Sequence, residues 1–535
     1  MRCYVTAILL LGASITLRVT QLYALSCDAG SIQAIAPGSS TVTSALETTT
    51  GTIPYCKIDA SITTDAALGD VIHYEVDLPD ASSWNSRLFF FGNGGFGGSI
   101  VLSPGALQAG SAVAATDTGH TAANDDASWA LNNVPAVLDY EYKALHETVA
   151  ASEQILSGYY GAPVYHSYFS ACSDGGRQGL VEAQKYPNDF DGVVVGDAGI
   201  GQAYLGFNWN AQAILAGSSS FIDGNAIGLI NSAVLAQCDG VDGVVDGLIQ
   251  NPVACNFNPE TLLCAPGQAT GCLSAGQIVA LNKIYQGAVD TNGVSLYPGL
   301  SVSDPAQSAS LDAGWATYMV GCRASGVCQE PNFTAAEPWA SLARTPSQWG
   351  AQDEFFKDFI FNNPNYDTRT LKFTNQTLLN QIGALTASLG GEGMNANLTS
   401  FAHVGHKLIM YHGWSDPAFS PYVSVNYYNG VSAILGSSTT NSARLFMVPG
   451  MHHCQGLGPG PNSFDVITAI TNWVEQGIAP DGIIASHHMN DDSTQPVDRT
   501  MPLCAYPEMA VYNGVGPVDT AASWSCGTSG ASSAS

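Results

Sequence analysis

Charge is scarce in this chain, above all positive charge. Of 535 residues only 11 % are charged, and 16 Lys and Arg stand against 44 Asp and Glu. Nucleic-acid phosphates demand a basic surface, so a formal charge of −28 argues against that class of partner and for an acidic, soluble surface. Long apolar runs are also missing: no stretch after the N-terminus reaches the ~18 uninterrupted apolar residues of a membrane span. None of the thirteen cysteines stands in C-x-x-C spacing, which makes a zinc site improbable. There is no internal repeat, and low-complexity sequence is confined to the closing GTSGASSAS.

What is present fits an exported protein with a large core. Hydrophobic residues make up 46 % of the chain, and the length suits one large domain with an insertion, or two domains. Residues 1–26 read as a signal peptide: Arg2, the apolar VTAILLLGASITL, and small residues before Cys27. Removing Cys3 with that leader leaves twelve cysteines, an even number, as an oxidising compartment favours. Cys238–Cys255, Cys264–Cys272, Cys322–Cys328 and Cys504–Cys526 would each close a short loop, and Cys27–Cys56 is a further expected pair. Asn332, Asn375 and Asn397 stand in Asn-x-Thr sequons and are candidate glycosylation sites in a eukaryotic host.

Strands and helices alternate in two blocks. Residues 71–79, 87–92, 111–117, 164–171 and 190–199 read as strands, with helices over 138–161 and from the CSDGG turn to about Lys185. The rhythm returns with strands at 407–413 and 443–450 and helices at 419–435 and 464–477. Such alternation predicts an α/β fold, a mostly parallel sheet covered on both faces. Residues 203–398 lose the pattern and hold six cysteines and all three sequons. They are expected to form an inserted, disulfide-tied lid domain, with 27–202 and 399–535 as the main domain.

One turn raises a chemical question. In Ala171-Cys172-Ser173-Asp174-Gly175 an apolar run stops at a serine flanked by small residues. The serine could cap the following helix, or it could be a nucleophile on a tight strand-to-helix elbow of the G-x-S-x-G kind, with alanine for the first glycine. A nucleophilic serine needs a base and an orienting carboxylate, which in such sheets follow in the order Ser, Asp, His. Asp416 in YHGWSDPAFSP and His453 in VPGMHHC occupy suitable loops; the rivals are an N-cap role for Asp416 and His452 as the base. Cys172 precedes the serine and Cys454 follows His453, so a Cys172–Cys454 bridge would make the two neighbours and would favour His453 over His452. Closing so long a loop restricts the unfolded chain by about 5 kcal/mol in the chain-entropy account. If both cysteines pair elsewhere, that proximity disappears. For the oxyanion, the backbone N–H of Asp174 and the glycine-rich FFFGNGGFGG, with Gly94 and Gly95, are the candidates.

CSDGGRQG, GWSDPAFSP, MHHC and PLCAYP together resemble the tannase/feruloyl esterase family over nearly the whole mature chain. The resemblance implies a secreted α/β-hydrolase with a large lid, cleaving hydroxycinnamate (feruloyl) or gallate esters of phenolic acids, the former expected first. A polyester-monomer esterase is a third expectation. Family members often read GCSTGG; Asp174 differs and is expected to set a carboxylate beside the pocket. CDGVDGVVDGLIQNP reads on its own either as Asp-Gly turns or as a calcium loop. The resemblance implies structural calcium held by Asp239, Asp242 and Asp246 with the carbonyls of Val244 and Leu248. Two alternatives remain: a non-catalytic calcium-stabilised binding protein of the same fold, and a serine carboxypeptidase. Trp209, Phe221 and Tyr318 are aromatics of the lid with no assigned role.

Overall fold

The computed structural model describes residues 25–303, 314–322, 328–342 and 344–528. The expected leader, apart from its last two residues, lies outside them. A nine-stranded sheet organises the chain. Its strands are β1 (Ser40–Thr50), β2 (Ile53–Asp65), β3 (Asp70–Pro79), β4 (Arg87–Phe91), β5 (Ala112–Thr116), β6 (His166–Cys172), β7 (Gly192–Gly196), β8 (Lys407–Gly413) and β9 (Ala443–Val448). The order is β1-β2-β3-β5-β4-β6-β7-β8-β9. The first three strands pair antiparallel, and the six from β5 to β9 run parallel. Parallel strands are covered on both faces, hence the near-continuous apolar text of GVVVG and ARLFMV. In β2 only alternate residues, Cys56, Ile58, Ala60 and Ile62, are buried.

Each strand expected from the sequence falls on a strand of this sheet, whereas β1 and β2 go beyond that expectation. Helices α1 (Ala144–Tyr160) and α2 (Asp174–Lys185) flank β6; α1 stops at Gly161, whose φ of +63° suits glycine. Residues 203–398 contribute no strand to the sheet among the described residues. They hold α3 (Ala203–Ile214), α4 (Gly224–Cys238) and α5 (Ala275–Gln286), and pack a separate core around Ile227, Ile230, Val234, Leu281 and Ile284. Cys238–Cys255, Cys264–Cys272 and Cys322–Cys328 are bridged within this segment. After β8 and β9 come α6 (Pro421–Leu435) and α7 (Val466–Gln476), then a hairpin of Gly482–His488 with Val497–Cys504. Cys27–Cys56 ties the N-terminal segment to β2, and Cys504–Cys526 closes the C-terminal strands.

One polar cluster fastens α1 to the helix that begins at the serine turn. His146 Nδ1 is 2.6 Å from Asp189 Oδ2 and its ring stacks on Tyr186. Glu182 on α2 lies against both, fully buried, with no hydrogen-bond donor for either carboxylate oxygen. Burial, then the charge of Asp189, pushes the Glu182 carboxyl well above its usual range, so the folded protein holds a proton there. Such a group stabilises the fold less as pH climbs past the unfolded carboxyl value, because only the unfolded chain then gives up its proton freely. Glu182→Gln supplies an N–H to Asp189 without that proton. Thermal melts from pH 5 to 8 should show a flatter fall in Tm for the variant than for the wild type; parallel curves would refute the protonated carboxyl.

Candidate active site

Strand β6 ends at Cys172, and the chain turns into α2 through Ser173 at φ +66° and ψ −126°. A side chain at positive φ costs of order 1–3 kcal/mol and persists only where neighbours enforce it. Here Ser173 N–H donates to Gly196 O at the end of β7 (2.9 Å), and Ser173 O accepts from the N–H groups of Arg177 and Gly199 (3.1 Å each). A Cβ on Gly175 would lie 2.5 Å from the Ala171 methyl, and one on Gly176 would lie 2.5 Å from Gly196 O. The absence of a side chain at 175 is what makes room for alanine where the elbow usually has glycine. The Ser173 side chain makes no capping bond to α2. Its Oγ is instead 2.9 Å from His453 Nε2.

His453 stands in the loop after β9, and its Nδ1 is 2.8 Å from Asp416 Oδ2 in the loop after β8. Asp416 is almost wholly buried, and its Oδ1 accepts from the N–H groups of Ala418 (2.6 Å) and Phe419 (3.1 Å). Burial opposes the charge on Asp416, but His453 and His412 hold its carboxyl below the usual range. For His453, burial disfavours the imidazolium; the charge and hydrogen bond of Asp416 outweigh it and leave the ring above its ordinary value. His452 is completely buried, and of the two neighbours it is His453 that reaches the serine. Cys172 and Cys454 are bridged across 282 positions with Cα atoms 6.0 Å apart. A hydroxyl, an imidazole and a carboxylate aligned in this way can activate the oxygen for attack on a carbonyl carbon.

In front of Ser173 opens a cavity of about 590 Å³. Gly94, Gly95 and Asn124 form one side, Phe207, Tyr318, Gln348 and Phe419 another. Gly95 needs its φ of +54°, and its carbonyl is held by the Tyr140 hydroxyl at 2.8 Å. Asn93 pins the same loop by donating to Ser99 O (2.8 Å) and Thr116 O (3.0 Å). Gly94 and Gly95 thus line the pocket that holds Ser173, and the N–H of Asp174 begins the helix that follows it.

The family profile described as "Tannase and feruloyl esterase" matches residues 56–527. The chain belongs to that family. It is 32 % identical to an uncharacterized esterase of Xanthomonas campestris pv. campestris, over 85 % of this chain and 81 % of that one. It is 31 % identical to a mono(2-hydroxyethyl) terephthalate hydrolase of Piscinibacter sakaiensis, over 88 % and 84 %. The crystal structure of feruloyl esterase B from Aspergillus oryzae superposes with a TM-score of 0.78 at 25 % identity, covering 93 % of this chain and 99 % of that one. The protein is therefore a carboxylic ester hydrolase with the α/β-hydrolase fold.

One expectation about the esterase's pocket is overturned. Asp174 does not present its carboxylate to the cavity: it is 5 % exposed and locked by Arg177, with Nε 2.6 Å from Oδ1 and an Nη 3.3 Å from Oδ2. Arg177 is buried and also meets Glu141 at 3.0 Å, so the charge of Asp174 is spent inside the protein. Of the three unassigned aromatics, only Tyr318 reaches the site, its ring 5.8 Å from that of His453; Phe221 lies in the separate core and Trp209 donates to Lys283 O. The acidic loop bends through Gly243 and Gly247 at positive φ. Asp239 accepts from the N–H groups of Asp246 and Gly247, Asp246 pairs with Arg499 at 2.7 Å, and Asp242 keeps a buried Oδ2 with no hydrogen-bond partner. Burial pushes Asp242 up to about 6. Asn332, Asn375 and Asn397 are all exposed.

Gln348 and Phe419 escaped the sequence reading, as did two buried groups behind Asp416, His412 and Asp197. A histidine inside the apolar strand KLIMYHG and an aspartate closing GVVVGD were the available signals, since neither is explained by packing. The bridge predicts its own test. In the double variant Cys172→Ala/Cys454→Ala, which leaves no free thiol, kcat for ester hydrolysis should fall by about tenfold or more as Ser173 and His453 lose their fixed separation. Tm should fall by several degrees; an unchanged kcat in a folded variant would refute the role of the bridge.

Proposed function

We propose that this esterase hydrolyses hydroxycinnamate esters, feruloyl esters first, through an acyl-enzyme on Ser173. The cavity carries the proposal: Val101, Phe207, Tyr318 and Phe419 give it an apolar face beside the polar Asn124, Asp125, Ser347 and Gln348, and no lysine or arginine stands among its described lining residues. A flat phenylpropenoyl group suits such a face. A galloyl ester would bring three phenolic hydroxyls that each need a partner, and a terephthalate monoester a free carboxylate that meets no cation among the described lining residues. The likeness to feruloyl esterase B of Aspergillus oryzae supports the same substrate class.

In this reading Ser173 Oγ attacks the ester carbonyl while His453 Nε2 takes its proton, and Asp416 orients the imidazole. The N–H groups of Asp174 and of Gly94 or Gly95 receive the negative oxygen of the tetrahedral intermediate. His453 returns the proton to the departing alcohol, and a water molecule activated by the same base frees the acid. Six disulfides fit an oxidising compartment, so we take the enzyme to be secreted, with 1–26 removed, residues 203–398 acting as a lid and plant cell-wall esters as substrate. The exposed sequon asparagines would then carry glycans in a eukaryotic host.

Turnover of methyl ferulate should exceed that of methyl gallate by at least about tenfold in kcat/KM; the reverse ranking would make the enzyme a tannase. Ser173→Ala should reduce hydrolysis to background, and equal rates for variant and wild type would favour a binding protein. Because His453 must be neutral to act and its pKa is raised, kcat/KM should fall as pH drops through a midpoint above the ordinary imidazole value of about 6.5. A rate flat from pH 4 to 8 contradicts this.

The acidic loop supports structural calcium. Asp239, Asp242 and Asp246 would supply carboxylates, and Val244 and Leu248 carbonyls, with the orphaned Oδ2 of Asp242 as the group that most needs a cation. Elemental analysis should find about one calcium per chain. A chelator should lower Tm, as expected for removal of a ligand that stabilises by about 2.7 kcal/mol at a hundredfold excess over Kd. Asp242→Asn should blunt that response. No bound calcium, with Tm indifferent to chelator, would refute the site.

A further inference from the structure

A second imidazole stands behind Asp416. His412, next to last in β8, is completely buried. Its Nε2 lies 3.2 Å from Asp416 Oδ2, the oxygen that also holds His453 Nδ1, and 3.8 Å from Asp197 Oδ1, contacts of charge and proximity that do not reach good hydrogen-bond geometry. Its Nδ1 is 2.8 Å from the hydroxyl of Ser424 on α6. A hydroxyl can donate or accept, whereas Nε2 faces only carboxylate oxygens, so Nε2 must carry a hydrogen. Asp197 is itself unusual. It follows β7 with φ +41°, has no solvent exposure, and accepts the N–H of Gly413 at 2.8 Å. Its other oxygen lies 3.6 Å from Cys172 Sγ. A residue held at positive φ in a fully buried place is enforced by its surroundings.

We propose that His412, fixed by Ser424 and Asp197, is a positioning residue for ester hydrolysis: it holds the Asp416 carboxylate and shares its Oδ2 with His453. The inference rests on the assignment of Ser173, His453 and Asp416 above. Oδ1 of Asp416 is already fixed by two backbone N–H groups, so Oδ2 is the oxygen whose direction remains to be set. His453 Nδ1 is the other group on Oδ2, and its ring changes charge in every cycle as Nε2 takes a proton from Ser173 and gives one to the leaving alcohol. The His412 ring, with Nε2 3.2 Å from the same oxygen, takes no part in that exchange. It also lies beside two buried acids, 3.2 Å from Asp416 and 3.8 Å from Asp197, at the base of the site.

A second ring facing Oδ2 limits how strongly Asp416 holds the proton on His453. The titratable groups facing Asp416 are His453 from the β9 loop, His412 from β8, Asp197 from the β7 end, and Tyr318 and Tyr297 from the inserted segment. With that ring removed, His453 should keep its proton to higher pH. In His412→Phe, kcat for methyl ferulate, or for whichever ester the wild type cleaves best, should fall about tenfold with KM unchanged. The acid limb of the pH profile should move upward. His412→Gln, whose amide N–H can reach where Nε2 stood, should recover most of kcat and return the limb. Should the phenylalanine variant fail to fold, Ser424→Ala, which frees the ring, should show smaller changes in the same directions. Wild-type kcat and acid limb in His412→Phe would overturn the proposal, as would equal losses in the Phe and Gln variants with the limb unmoved. Ser173→Ala assayed alongside separates the two levels: activity surviving there overturns the triad assignment, whatever His412 does.

Discussion

The Cys172–Cys454 bridge joins the turn after β6 to the loop after β9, and the geometry of the site is anchored at that point. Those two strands are separated in the sheet by β7 and β8. Side chains rising from strands three places apart lie roughly 14 Å from each other at their bases, given the ~4.8 Å strand spacing, so a serine and a histidine there need loops that lean together. The bridge supplies the lean at its shortest possible reach, one residue before the hydroxyl and one after the imidazole. Cys454, like Ser173, takes a positive φ of 66°. The chain is strained on both sides of one crosslink, which is where a covalent tie is most useful, because weak contacts would let either backbone relax.

Electrostatics then work inside the frame the bridge creates. Two buried charge systems flank the nucleophile and point away from each other. On the α2 side, Arg177 offsets the charge of Asp174, and burial pushes the neighbouring Glu141 up to about 7, so the helix N-terminus that begins at Asp174 keeps its partial positive character for an oxyanion. On the β8 side, the Asp416 carboxylate faces His453 and His412, so negative charge stands where an imidazolium must form. Positive potential on one side of the serine and negative on the other matches the charge separation that arises when an alkoxide attacks and its proton leaves. The cavity walls carry neither sign among their described residues apart from Asp125, which leaves the acyl group in a largely apolar space.

How much of this the sequence disclosed depended on whether a residue's role was local. The elbow, the Asp416 and His453 loops and the sheet strands follow from turns, small residues and apolar runs that sit next to one another in the chain. The hairpin of β1 and β2 did not stand out: β1 is threonine-rich with only Ser40 and Ala45 buried, so its period-2 signal is faint, and it joins the sheet through β2, which pairs with β3. Asp174 misled for a related reason. Its text position, beside the nucleophile, says nothing about Arg177 one helical turn on, which turns the carboxylate inward. Position in sequence fixes a backbone far better than it fixes where a charged side chain will find its partner.

The residues that shape the cavity illustrate the same limit from the other direction. Phe207 and Phe419 are 212 positions apart yet their rings are 5.3 Å from centroid to centroid, one on the first helix of the inserted segment and one on the loop that carries Asp416. Gln348, from a third stretch, donates to the carbonyls of Pro417 and Ala418 at 2.9 and 3.1 Å, and so ties the insertion to the same loop. The insertion therefore touches the backbone beside Asp416 as well as the space the substrate would fill. A substitution in residues 203–398 that reshapes the acyl pocket is coupled through Gln348 to the loop that orients the base, so substrate preference and kcat should not vary independently in this fold.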